Sequence, residues 1–326
     1  MDLTHAAGLA VRAPARLHLG FLDLGGSTGR RFGSLGIALE RPVTAVTVTR
    51  AGADSQSGPD CERAGRARDR VRTALGHAET FAVAVDSALP AHNGLGSGTQ
   101  LALSVGVAVA RLCGHALTAR QVAVLLGRGR RSAIGMEAFE AGGVILDGGK
   151  PVGGPDPGDP PPLLARLPVP ENWRILLIHD RAREGLSGDA ETRAMAALPP
   201  FPAEAAAHVC HLMLMQALPA LALGDADGFG AVIGDWQRAL GDHYAAAQGG
   251  GRFLSAGVAE AAAWLEAEGV RGVGQSSWGP TGFAIVGDVP QAEALLGSLR
   301  RRFASSTNLS FDCVRGNNRG AEIVAL

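Results

Sequence analysis

The chain has 326 residues, 46% of them hydrophobic and 19% charged, with a formal net charge of −1. That composition suits a soluble globular protein with a substantial core and excludes a disordered chain. Near-neutrality removes the electrostatic motive for binding nucleic acid or an anionic membrane, so neither is expected as a partner.

Lys150 is the only lysine. A Walker or Schiff-base lysine would have to be this residue, and it lies in no such motif. Cys61, Cys113, Cys210 and Cys313 form no CxxC pair, which argues against a zinc ribbon or a disulfide framework and suits a reducing compartment. The stretch MDLTHAAGLAVR lacks the features of a signal peptide, and no uninterrupted apolar run reaches membrane-spanning length. A cytoplasmic location is expected.

In chain order, VRAPARLHLGFLDL (Val11 to Leu24) alternates as a strand, with Arg16 and His18 on one face and Leu17 and Leu19 on the other. GGSTGRRFGS reads as a Gly/Arg-rich loop, and the Val- and Thr-rich Gly36 to Arg50 as a strand pair. Asp60 to Gly76 reads as an Arg-rich helix and Phe81 to Val85 as a strand. GLGSGTQ, Gly94 to Gln100, opens an apolar helix ended by Gly114, and Thr118 is placed to N-cap the next helix. PVGGPDPGDPPPLL, residues 151 to 164, cannot be regular structure and marks a linker, dividing domains 1–165 and 166–326. Beyond it come a buried strand at Trp173 to His179 and two or three Ala-rich helices between Ala203 and Glu268. Strands around Val270–Val273 and Gly282–Val286, a helix from Gln291 and a terminal strand complete the chain. Strands and helices mix without strict βαβ alternation, so the class expected is α+β with two domains.

The glycines of GLGSGTQ are the first chemical signal. A helix N-terminus exposes unpaired N–H groups and a partial positive charge, and glycine lets a phosphate approach them. The spacing is neither GxGxxG nor GK[ST], so Rossmann and Walker loops are excluded. On these residues alone, an anion cradle and a turn capped by Ser97 or Thr99 are equally consistent. His208, Cys210 and His211 have helical spacing for a metal pair but lack a third ligand or motif.

PAHNGLGSGTQLAL, from Pro90, resembles the PxxxGLGSS phosphate loop of the galactokinase, homoserine kinase, mevalonate kinase and phosphomevalonate kinase (GHMP) superfamily. Three further stretches carry the resemblance to one branch of it. They are APARLHLGFLDLGGSTGRRFGSLGIALERP (Ala13 to Pro42), GRGRRSAIGMEAFEAGGVILDGG (Gly127 to Gly149) and GQSSWGPTGFA (Gly274 to Ala284). Together they resemble the β-ribofuranosylaminobenzene 5′-phosphate synthase family of methanopterin biosynthesis.

The resemblance implies a two-domain GHMP-kinase-like fold and a decarboxylating transfer of ribose phosphate. Phosphoribosyl pyrophosphate is joined to 4-aminobenzoate, or 4-hydroxybenzoate in some relatives, and pyrophosphate and CO2 leave. It further implies Mg2+ with the pyrophosphate and a homodimer. Gly94, Gly96, Ser97, Gly98, Thr99, Arg30 and Arg31 are then expected to bind phosphate. Arg16, His18 and Asp23 become the catalytic candidates, with Asp23 also a magnesium ligand. Ser276, Ser277, Trp278, Arg131 and Ser132 become substrate contacts, Trp278 as a stacking face for the benzoate ring.

An ATP-dependent small-molecule kinase of the same superfamily is the second reading, and a catalytically silent phospholigand-binding protein the third. Superfamily kinases commonly carry a catalytic Asp in an SGxD-like segment. Aligning on Ser132 and Gly142–Gly143 puts Gly135 there, where its small size would leave room for the ring; Gly98 replaces a second, magnesium-binding serine. The synthase reading therefore ranks first.

Overall fold

Apolar side chains at every second position from Leu9 to Leu19 draw out one long strand, β1 (Gly8–Asp23), against which β2 (Arg30–Arg50) returns antiparallel. The structure, a computed structural model, describes residues 6–153, 158–186 and 188–326. Residues 1–5, which open the stretch read for a signal peptide, and residues 154–157 of the expected linker lie outside them.

There follow β3 (Ser55–Ser57), α1 (Cys61–Ala74), β4 (Phe81–Ser87), α2 (Ser97–Leu112), α3 (Ala119–Leu125), α4 (Ile134–Glu140), β5 (Val144–Asp147), β6 (Lys150–Pro151) and β7 (Leu163–Leu167). With the last strand, β12 (Glu322–Ala325), these make an eight-stranded sheet in the order β12-β1-β2-β4-β3, with β5 and β6 paired to β2 and β7 to β5. The second half holds β8 (Arg174–Asp180), α5 (Gly188–Ala196), α6 (Ala203–Leu212), a π-helical turn at Met213–Ala217, α7 (Leu218–Leu223), α8 (Ala226–Tyr244), α9 (Ala256–Ala267), β9 (Gly272–Gln275), β10 (Gly282–Val286), α10 (Val289–Arg302) and β11 (Leu309–Val314). Its antiparallel sheet runs β11-β8-β10-β9.

β1 serves two cores. Leu9, Val11 and Ala13 pack with α1 and α2, whereas Ala15, Leu17 and Leu19 pack with Trp236 and Leu240 of α8 and the inner face of the second sheet. The ladder with β2 is irregular between Pro14 and Arg16 and again between His18 and Gly20. Such irregularities bend a strand and re-aim its side chains, and here they bracket Arg16 and His18. β8 is apolar on both faces, with Ile175 and Leu177 toward α8, and Leu176 and Ile178 toward α9 and α10. A sheet covered on both sides needs that continuous run rather than alternation.

The α+β class holds, as does Thr118, whose hydroxyl accepts from Gln121 N in a capping box. Other expectations are corrected. Gly36–Arg50 is one strand, not a pair, and it begins at Arg30, so Arg30 and Arg31 sit in a ladder with β6 rather than in a loop. The Pro-rich tract is regular at both ends, in β6 and β7. The 165/166 division runs through β7, whose partner is β5, and β12 returns to the first sheet. The helical run Ala203–Leu223 has the length and mean hydropathy (1.5) to span a membrane, although Glu204, His208, His211 and Gln216 interrupt it, so no uninterrupted apolar run of that length is present there. One of its faces (Ala206, Val209, Met213, Ala217 and Leu221) is nonetheless buried in the core, as in a helix of a globular fold.

Candidate active site

The glycine loop, β1 and the Ser276–Gly279 turn are stitched into one seam. Arg16 N donates to Leu95 O (3.1 Å), His18 N to the Ser276 hydroxyl (3.0 Å), and that hydroxyl to Gly94 O (2.6 Å). Ser277 N closes the seam on His18 O (3.0 Å). Gly94 has φ +78°, and a Cβ there would lie 2.2 Å from Ser276 O, so only glycine fits. Gly96, at φ +85°, is the N-cap of α2 without a side-chain cap, so neither Ser97 nor Thr99 caps the helix. Thr99 N bonds Gly96 O, while the N–H groups of Ser97 and Gly98 have no protein acceptor among the described residues. Those two donors, at the positive end of a 16-residue helix, form the anion cradle.

Arg16 and His18 stand together beneath the loop. The Arg16 Nη1 group donates to Gly94 O at 2.5 Å, and its Nε is buried with no partner. Burial lowers its pKa to about 10, partly countered by Glu191, so it is a cation at neutral pH held in a poorly solvated place. His18 is 4% exposed, and neither ring nitrogen has a partner. Burial and the neighbouring Arg16 push its pKa down to about 3, so the imidazole is neutral. Its ring meets Phe21 edge-on at 4.7 Å.

Three arginines that the sequence reading passed over flank the cradle. A Cβ on Gly98 would lie 2.4 Å from Arg63 Nη2 and 3.7 Å from Arg128 Nη1. Arg128 is lowered by burial and then by Arg63 and Arg70, so the guanidinium groups crowd one another. Among the described residues, only Arg63 of the three has a carboxylate partner, Asp60 at 3.2 Å. Arg63 and Arg70 lie in the segment read merely as an Arg-rich helix. The clue available was their recurrence at i and i+7, which puts both on one helix face.

Trp278 is 3% exposed and packs on Tyr244 with ring centroids 4.5 Å apart, its indole N–H unpartnered. With His18, Phe21, Gln237, Tyr244 and Gln275 it lines a small cavity of about 20 Å³. One face of the indole is therefore already taken by Tyr244, a residue the sequence did not single out. The chain leading into α5 lies across this seam. Gly185 N donates to His92 O (2.9 Å), Leu186 N to Trp278 O (3.2 Å), and Glu191 pairs with Arg131 (2.9 Å). Arg131 also donates to the Thr192 hydroxyl (2.7 Å), so it is tied to α5.

Other expected residues are engaged elsewhere. Both oxygens of Asp23 are filled, by Gly25 N, Gly26 N, Ser27 N and the Ser27 hydroxyl at 2.6–2.9 Å. Burial pushes its pKa up, but these donors outweigh it and hold it low. With its lone pairs occupied, Asp23 does not fit a magnesium ligand; it ties the β1–β2 loop. Arg30 spends its guanidinium on Gly148 O (2.8 Å) and Gly149 O (2.7 Å), and Arg31 lies over the Phe32 ring at 4.9 Å. Ser132 shares Asp147 with Ser34. Gly135 faces Thr99, whose Cγ2 would be 2.9 Å from a Cβ, so it lets α4 pack on α2 rather than leaving room for a ring. Glu137 turns to Arg120 at 2.9 Å.

Residues 62–142 match the family described as GHMP kinases N terminal domain. A protein of Archaeoglobus fulgidus named beta-ribofuranosylphenol 5'-phosphate synthase is 33% identical over 329 residues, covering 97% of this chain and 99% of its own. One of the same name from Methanothermobacter thermautotrophicus is 33% identical over 247 residues, 70% of this chain and 75% of its own. The solved homoserine kinase of Cytophaga hutchinsonii superposes with a TM-score of 0.69 at 18% identity, covering 98% of each chain, a likeness of fold alone.

Proposed function

The chain belongs to the β-ribofuranosylphenol 5′-phosphate synthase family, and on that premise we propose that it is a decarboxylating phosphoribosyl transferase of methanopterin biosynthesis. Phosphoribosyl pyrophosphate donates the sugar, and the relatives' name, which specifies a phenol product, favours 4-hydroxybenzoate over 4-aminobenzoate as acceptor. The C1–O bond breaks with its electrons going to pyrophosphate. The ring carbon bearing the carboxylate bonds to C1, and the electrons of the carbon–carboxylate bond restore the ring as CO2 leaves.

The observation that carries this reading is the seam itself. Two unpaired helix N–H groups, a half-buried Arg16 with no carboxylate bonded to it among the described residues, and the crowded Arg63 and Arg128 face one place. A buried cation lacking a bonded counter-charge is costly, and a phosphate or pyrophosphate offsets that cost. Neutral His18, Phe21 and Trp278 offer an apolar slot for the arene. At about 20 Å³ the slot does not hold a ring as it stands, so its lining side chains, among them Gln237, Gln248 and Arg252, rearrange on binding. Magnesium enters with the pyrophosphate, as part of the substrate. A kinase would need an alcohol-deprotonating base, and Gly135 with a Glu137 that is buried against Arg120 supplies none.

The proposal extends to a cytoplasmic homodimer. Exposed Leu214, Met215 and Leu223 on the α6–α7 run support a second copy docking there, and a monomer in sedimentation would retract that part. Incubation with phosphoribosyl pyrophosphate, magnesium and each benzoate tests the rest. Expected is CO2 release matched by a ribosylated arene. Phosphorylation of a small alcohol from ATP, with no CO2 from any benzoate, would overturn it.

A further inference from the structure

About 24 Å of helix separates the glycine loop from the other end of α2, where a second polar cluster has formed. α1 and α2 pack side by side and terminate in the same way. Gly76 (φ +72°) and Gly114 (φ +82°) follow the helix ends, and the next N–H groups, of His77 and His115, reach back to Arg72 O (3.1 Å) and Ala110 O (2.8 Å). These are two glycine-ended helix stops, each with a histidine in the residue after the glycine. The matched geometry brings His77 Nε2 to 3.0 Å from His115 Nε2. Beside them the Cys113 thiol meets Glu79 Oε2 at 3.4 Å, and donor atoms of His77, Glu79 and Cys113 all lie within 4.8 Å of one another.

We propose that His77, Glu79, Cys113 and His115 form a structural site for a divalent transition-metal ion of the zinc class, clamping the C-terminal ends of α1 and α2. Two imidazoles, a thiolate and a carboxylate are the borderline-soft donors such an ion takes. Metal–ligand lengths of about 2.0–2.3 Å place tetrahedral neighbours roughly 3.3–3.6 Å apart. The spacings of 3.0 and 3.4 Å are close to that; the His77, Glu79 and Cys113 donors draw together from within 4.8 Å, and the His115 ring, held beside His77, swings in to complete the set. Two helix C-termini direct partial negative charge at the same spot. Cys113 is buried, His77 and His115 are half-buried and Glu79 is exposed, so the ion would sit at the solvent edge of the helix pair, with its four positions filled by protein donors as in a structural site. Arg50 holds Glu79 Oε1 at 3.0 Å and Arg72 bonds Glu79 O at 3.1 Å, so these cations stay on the carboxylate's far oxygen and the backbone, leaving Oε2 to the ion. Binding displaces the thiol proton and any proton shared by the two imidazoles.

Cobalt(II) is the probe. Added to the metal-free full chain, it should bind once per chain with tetrahedral ligand-field bands and a thiolate charge-transfer band, both bleached by Zn2+. Cys113→Ser should remove the charge-transfer band, while Cys210→Ser, at an exposed cysteine of α6, should leave it intact. His77→Ala and His115→Ala should each weaken zinc competition by at least the roughly 10–100-fold that lesser changes around a metal cost. Should a histidine variant fail to fold, the pair of serine variants carries the test. No charge-transfer band in the wild type, a band surviving Cys113→Ser, or one lost in Cys210→Ser overturns the site and leaves two ordinary hydrogen bonds.

Discussion

Two buried polar clusters adjoin the β1–β2 hairpin, and they differ in how completely their atoms are satisfied. Asp147, fully buried, accepts at Oδ1 from Ser34 N (3.1 Å) and Gly149 N (3.0 Å), and at Oδ2 from Ala133 N (2.8 Å) and the Ser34 and Ser132 hydroxyls. In the seam beneath the glycine loop, Arg16 Nε, both nitrogens of His18 and the Trp278 N–H have no partner. Buried polar atoms are seldom left alone in a native protein. A saturated carboxylate therefore marks architecture, and a concentration of orphans marks the place that a ligand completes.

The largest effect should come from the saturated side. Asp147→Ala strands the donors of four residues, at about 1–3 kcal/mol for each one left buried without an acceptor, and the loss should be read as a shifted urea midpoint. An unchanged midpoint would break the comparison at once.

The unsatisfied side should respond in the opposite sense. Arg16→Met keeps the length of the side chain but removes the half-buried cation. Turnover per unit KM should fall about 10²–10³-fold, the usual cost of losing one transition-state donor. Stability should hold or rise, because a cation without a bonded counter-charge no longer has to be buried. Wild-type turnover, or a large drop in melting temperature, would show that Arg16 is a structural pin for Gly94.

The same contrast explains how much could be read in advance. Periodicity and punctuation gave the β1 strand, the α2 helix and the Thr118 cap, because those depend on neighbours in sequence. Arg16 and His18 were legible as one-face partners for that reason. Asp23 and Arg30 were misjudged because a polar residue beside a motif looks the same whether its partner is a ligand or a backbone amide 2–4 residues away, as for Asp23, or a carbonyl 118 residues away, as for Arg30. Asp147 and Tyr244 were invisible for a related reason: their partners come from Ser34, Ala133 and Trp278, distant in sequence. The glycine loop was read for its helix, but only the fold shows that Arg63 and Arg128 stand beside Gly98.

The neutral His18 leaves a signature in pH dependence. Its folded pKa is about 3 against an ordinary 6.5, so below that ordinary value the unfolded chain takes up a proton that the folded chain refuses. The stability that His18 contributes is therefore complete above pH 6.5 and declines as pH falls toward 3, by about 1.4 kcal/mol per unit. His18→Gln should flatten that part of the stability curve between neutrality and about pH 5. Parallel curves for the two proteins would mean that the imidazole is hydrated or protonated in the fold.

Trp278 gives the smallest and most discriminating effect. Truncation to alanine would confound the issue, because the indole packs on Tyr244 within the core and its removal would open a cavity whatever its role. Trp278→Phe keeps most of the aromatic packing and removes the one orphaned donor. If that N–H is held for the arene or its carboxylate, the KM for the benzoate should rise by the equivalent of about 0.5–1.5 kcal/mol. The KM for phosphoribosyl pyrophosphate should stay put, because the cradle at Ser97 and Gly98 is made by other residues. The melting temperature should hold within a few degrees, since deleting an unpaired buried donor offsets the slightly poorer packing. An equal rise in both KM values with a lower melting temperature would place Trp278 on the structural side of the comparison, beside Asp147, and would leave His18 and Phe21 to form the slot.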